Sequence, residues 1–154
     1  MKSLLLNFLR LPSWVVFLIL VAPFFMMHIT PLSSVIAAFV LSAWLFACFI
    51  SLKNKIPKEV KIGPAWFLAR LIYAIAYMAT LEIFFNGKVA AFLTPFHIIA
   101  VISIFSCLFS VAQTLVICEE KSKQRFDKYI GTFLLFLFYP IGVWFIHPRV
   151  KGIR

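Results

Sequence analysis

The sequence predicts an all-α membrane bundle, and three observations carry that prediction. First, residues of the set AVILMFWYC make up 64% of the 154-residue chain and charged residues only 13%. Soluble domains hold about 45–50% apolar and about 25% charged residues. A chain this short has too much surface for its volume to hide such an apolar excess from water. That excludes a soluble globule, a disordered chain and a disulfide scaffold. Second, the apolar residues fall into long stretches, four of them preceded by a proline. Third, the cations are crowded into alternate connections between those stretches.

A helix needs about 20 apolar residues to cross a bilayer. Proline is tolerated at the first helical position, where its missing N–H would be unpaired anyway. Pro12, Pro31, Pro64 and Pro95 therefore mark four transmembrane helices over about 13–29, 31–52, 64–85 and 95–118. Thr30 and Thr94 stand where a side-chain oxygen caps the second and fourth. Starting at Pro95 also keeps the fourth helix to a spanning length. The whole uncharged run from Val89 to Cys118 would reach about 45 Å at 1.5 Å per residue. Pro23, inside the first helix, predicts a bend.

A fifth stretch, Ile130–His147, is interrupted by Pro140 and Gly142 and followed by Pro148. It predicts a broken segment, partly re-entrant or interfacial, with the C-terminus on the cytoplasmic side. Irregular backbone is tolerated at membrane depth where protein covers it. Residues 1–11 are expected in the inner interface, and the first helix reads as a retained span without a cleavage site. Residues 1–154 thus form one membrane domain with no soluble domain.

Lys- and Arg-rich short loops stay in the cytoplasm. The N-terminal segment holds Lys2 and Arg10. The second-to-third loop holds Lys53, Lys55, Lys58 and Lys61, and the fourth-to-fifth holds Lys121, Lys123, Arg125 and Lys128. Lys88 is the one cation in the other two connections. The N-terminus is therefore predicted inside. This bias and attraction to anionic lipid account for the net charge of +10. No direct contact with nucleic acid is expected.

Polar residues within the apolar stretches are the candidates for function. Ser103, Ser106, Cys107, Ser110, Gln113 and Thr114 recur every three or four residues, which puts them on one helix face. The opposite face is apolar and is expected to meet lipid. Such a stripe is either a packing seam between helices or the wall of a hydrated path. Gln113 carries the largest hydrogen-bonding demand. Ser34, Ala38 and Ser42 on the second helix, and Ala65, Ala69, Ala76 and Ala79 on the third, are small-residue tracks suited to close packing.

Arg70 and Glu82 are ionisable residues within the third helix. They lie about 18 Å apart along the axis, so they cannot pair. Each is expected to snorkel to its nearer interface, with Glu82 close to Lys88. An intramembrane charge is also a functional candidate by default. His28, His97 and His147 read as interfacial side chains, and Cys48, Cys107 and Cys118 as small apolar ones. No metal-ligand spacing, phosphate loop or hydrolase motif occurs, so neither a cofactor nor enzymatic activity is expected.

Residues 125–153 read RFDKYIGTFLLFLFYPIGVWFIHPRVKGI. Tyr129, Ile130 and Gly131, then Pro140, Ile141, Gly142, Trp144, Phe145, Ile146, Pro148 and Arg149, resemble the tail of a group of small bacterial multi-pass inner-membrane proteins. His147 stands where that pattern has Gln. The resemblance covers under a fifth of the chain. It implies bacterial inner-membrane residence and brings no activity with it. Arg149 is expected to meet lipid headgroups. Two functions follow as expectations. One is an oligomeric scaffold or sensor subunit that docks a separately encoded cytoplasmic protein through the basic loops, an arrangement associated with defence and stress systems. The other is a small channel or transporter lined by the polar face of the fourth helix.

Overall fold

The structure is a computed structural model, and it describes residues 8–26, 33–56, 63–85, 88, 91–120 and 126–153. These form α1 (Ser13–Phe25), α2 (Ser33–Lys53), α3 (Pro64–Phe85), a single 3-10 turn (Ala91–Leu93), α4 (Thr94–Glu120), α5 (Phe126–Leu137) and α6 (Tyr139–Ile153). No strand occurs among the described residues. Three helices, α2, α3 and α4 with its leading turn, are long and apolar enough to cross a membrane. Helix α1 has 13 residues, about 20 Å at 1.5 Å per residue. The end expected for it at residue 29 lies outside the described residues.

Local chemistry sets the starts. Pro64 occupies the first position of α3. The Pro12 carbonyl accepts from the Val15 and Val16 N–H groups at 3.0 and 3.2 Å, opening α1. Pro23 lies inside α1 and is buried there.

Helix α4 is the axis of the bundle and packs on α2, α3 and α5. Helix α3 runs antiparallel to both α2 and α4. Phe49 stacks on Phe67 with ring centroids 4.2 Å apart, and the Cys107 thiol donates to the Phe67 carbonyl. Helices α2 and α4 run parallel, with the Cys118 thiol on the Leu52 carbonyl at 3.3 Å. Trp44, Phe49, Leu115, Phe136 and Ile146 are fully buried in the main core. Large apolar side chains such as Trp66, Phe84, Ile102 and Phe145 point outward, as a bundle solvated by lipid requires.

Helices α5 and α6 form a hairpin. The Phe138 N–H bonds back to Leu134, and the ladder restarts when Ile141 and Gly142 donate to the Phe138 carbonyl at 3.0 and 2.9 Å. Pro140, between them, has no N–H to give. A Cβ at Gly142 would lie 1.7 Å from the Leu135 carbonyl oxygen, so only glycine permits this crossing. Past it, α6 returns along the bundle, antiparallel to α1. Phe17 meets Trp144 at a centroid distance of 5.6 Å, and His147 Nε2 bonds the Leu11 carbonyl at 2.9 Å. Arg149 reaches Thr132 on α5. Both ends of the hairpin thus share one pole with the start of α1 and the ends of α2 and α4.

Several expectations are corrected by this packing. The face of α4 expected to meet lipid does so only in its first half. Leu108, Val111, Leu115 and Ile117 are buried, because α5 and α6 cover the second half. His147 is 1% exposed and not interfacial. Arg149 is held by protein groups instead of headgroups. Leu9 is in the core, not the interface. On α3 the inward face is Phe67, Leu71, Ala74, Tyr77 and Leu81, which turns Ala65, Ala69 and Ala76 outward.

Candidate functional site

The polar stripe of α4 faces into the bundle. Ser103, Cys107 and Thr114 are buried, and Ser106, Ser110 and Gln113 are half-buried. The Thr114 hydroxyl donates to the Ser110 carbonyl at 2.6 Å and the Ser110 hydroxyl to the Ser106 carbonyl at 2.7 Å. Such back-bonding satisfies a hydroxyl within its own helix. No hydrogen bond joins Gln113 to another described residue.

Arg70 lies on the exposed side of the α3–α4 seam, where its Nη1 donates to the Ser106 hydroxyl at 2.5 Å. Among the described residues no carboxylate pairs with it. The adjoining groove between α4 and α5 is lined by apolar side chains such as Phe105, Phe109 and Phe133, with Ser106 at its edge.

Glu82 lies three residues before the end of α3 and is half-buried. It forms no ion pair with Lys88 or with any other described cation. Its Oε2 accepts from the Ser34 hydroxyl of α2 at 3.0 Å. Beside this bond, α2, α3 and α4 line a partly open apolar cavity of about 180 Å³. Ser34, Ala38 and Ser42 line it from α2, Ala74 and Met78 from α3, and Cys107 from α4. The small-residue track of α2 therefore opens a space instead of closing a seam. Sequence shows each small residue but not that Ala74 and Cys107 stand opposite the track, and small facing small leaves room.

The basic pole is tied together by polar contacts. Arg149 grips Glu119 with Nε to Oε1 at 2.8 Å and Nη2 to Oε2 at 2.6 Å. Lys128 pairs with Glu120 at 3.6 Å, and Lys151 Nζ approaches the Arg10 carbonyl at 3.5 Å. Lys53 and Lys55 end α2 at the same pole. Lys58, Lys61, Lys121, Lys123 and Arg125 lie outside the described residues. Among the described residues no group of three His, Cys, Asp or Glu side chains is placed to hold a metal. Comparison with protein-family models, curated proteins and solved structures finds no match to this chain.

Proposed function

We propose that this chain is a four-span bacterial inner-membrane subunit with its N-terminus in the cytoplasm, a scaffold that self-associates and docks a separately encoded soluble protein on its basic pole. One observation carries the reading: the α5–α6 hairpin brings Arg149 and Lys151 back beside Arg10, Lys53, Lys55 and Lys128. In sequence, Lys58, Lys61, Lys121, Lys123 and Arg125 belong to the connections between helix ends of that same pole. Short segments so rich in cations stay in the cytoplasm, and a positive pole steers an acidic partner. The C-terminal resemblance supports inner-membrane residence. The outward face of Ala65, Ala69 and Ala76 suits close approach of a second copy. A path along α4 is less well supported, because the hydroxyls of Ser110 and Thr114 are committed to their own helix.

Cross-linking in intact membranes followed by purification tests the proposal. The expected product is a complex with a soluble acidic protein, and charge reversal at Lys53 and Lys55 releases it. Ion flux in liposomes that is lost in Gln113→Leu, with no partner captured, overturns the scaffold in favour of the channel.

A further inference from the structure

We propose that the cavity between α2, α3 and α4 binds a small lipophilic cation, with the ammonium group on Glu82 and the apolar part inside the cavity. Three observations lead there. The cavity lies between three helices, is partly open, and holds about 180 Å³. For comparison, a dry protein cavity of about 150 Å³ lined by Leu, Ile and Phe takes up benzene. Its walls are almost wholly apolar, with Ser34 and Ser42 as the hydroxyl-bearing members. Beside it stands the Glu82 carboxylate, bonded to the lining residue Ser34. Glu82 lies one helical turn beyond Met78, a lining residue, so both point the same way from α3. Ser34, which lines the cavity, donates to Oε2 of Glu82. Among the described residues no Lys, Arg or His neutralises that carboxylate.

An apolar cavity with a carboxylate beside it that no described cation neutralises is complementary to one class of small molecule. An anion is repelled, and a neutral hydrocarbon leaves the carboxylate without a partner. A monocation with one ring or a slender alkyl group satisfies both parts. Glu82 is three residues from the end of α3, about 4.5 Å along the axis. The charged group therefore stays near the membrane interface while the apolar group passes inward, as amphipathic side chains do when they snorkel. The site is separate from the basic pole and needs no docking partner.

The test uses the full chain in nanodiscs of zwitterionic lipid. Phenethylammonium, the neutral 2-phenylethanol and the anion 3-phenylpropanoate are compared by calorimetry and saturation-transfer NMR. The cation is expected to bind most tightly and the anion least. Glu82→Gln, which keeps an acceptor for Ser34, weakens binding of the cation by roughly tenfold, the loss of one charge-assisted contact. It leaves 2-phenylethanol unchanged. Ala38→Phe fills the cavity and abolishes binding of both compounds. Equal affinity for cation and alcohol overturns the proposal, as does a cation affinity unchanged in Glu82→Gln or cation binding that survives Ala38→Phe. Because no partner protein is present, these outcomes are independent of the docking reading.

Discussion

Arg149 and Glu119 face each other in a two-bond clasp, 2.8 and 2.6 Å, across thirty residues of chain. Glu119 lies in the last turn of α4 and Arg149 in the last turns of α6, so the clasp ties the returning arm of the hairpin to the axial helix. The Thr132 hydroxyl accepts from both Nη1 and Nη2 of Arg149 at 3.3 Å, adding α5 to the joint.

Both charged side chains are about a third exposed, 32% and 29%, so solvent screens the pair. Its two-bond geometry places it near the upper end for such pairs, about 1 kcal/mol. Arg149→Lys is expected to lose most of that, since a lysine cannot form the fork. Arg149→Ala is expected to cost somewhat more. Reversible unfolding in mixed micelles, followed by tryptophan fluorescence, reads the difference. The exchanged pair Glu119→Arg with Arg149→Glu should recover part of the loss.

Gly142 gives a sharper prediction. A methyl group there meets the Leu135 carbonyl oxygen at 1.7 Å and its carbon at 2.6 Å, both backbone atoms that no rotamer change can move. Gly142→Ala therefore forces α5 and α6 apart, at a cost above the roughly 1–3 kcal/mol of ordinary overpacking. Gly131 and Gly152 have nothing within 4 Å of the same construction. Gly131→Ala should be neutral or slightly stabilising, because alanine is the better helix former. Protease resistance of the C-terminal hairpin separates the variants. Equal resistance of Gly142→Ala and Gly131→Ala would falsify the crossing.

How far such features are legible in sequence depends on their range. Pro64 at a helix start and the interruption at Pro140 and Gly142 are local, set by a missing N–H or a missing side chain, and can be read residue by residue. The clasp of Arg149 is not, because Glu119 stands among lysines in sequence and nothing local selects its partner. The alanines of α3 show a second limit. Spacing puts Ala65, Ala69 and Ala76 on one face but does not say which way that face turns. The buried Phe67, Leu71 and Ala74 turn it outward. The cavity beside Glu82 was equally hidden, since it depends on three helices meeting with small residues opposed.

The α4 stripe makes its own prediction. Ser110 and Thr114 return their hydroxyls to their own helix, so replacing either by a residue of similar size removes little. Ser110→Ala is expected to change stability by less than about 1 kcal/mol. Ser106→Ala differs, because it takes away the hydroxyl that accepts from the Arg70 guanidinium. It is expected to be the costlier change in the same micellar unfolding measurement. If Ser110→Ala proves the worse, the stripe has partners beyond its own helix and the channel reading gains ground.

Topology supplies the last prediction. The hairpin sets Lys151 beside the Arg10 carbonyl, and Lys128 beside Glu120 at the end of α4. Arg10, Lys53, Lys128 and Lys151 therefore belong to one pole. Lys88, which follows α3, belongs to the other. Single cysteines at these five positions, in a background where Cys48, Cys107 and Cys118 are replaced by Ala or Ser, should label in two groups. In intact cells a membrane-impermeant thiol reagent is expected to reach position 88 and to spare 10, 53, 128 and 151, which react only after the membrane is opened. A reporter active only in the cytoplasm should likewise be active when fused after Arg154. Position 151 is the informative one. The short basic segments predict positions 10, 53 and 128 inside on charge grounds alone, whereas position 151 is expected inside only if the chain turns back at Phe138. Labelling of position 151 together with position 88 would mean that α5 and α6 cross as one span, and the proposed gathering of cations at a single pole would then be lost.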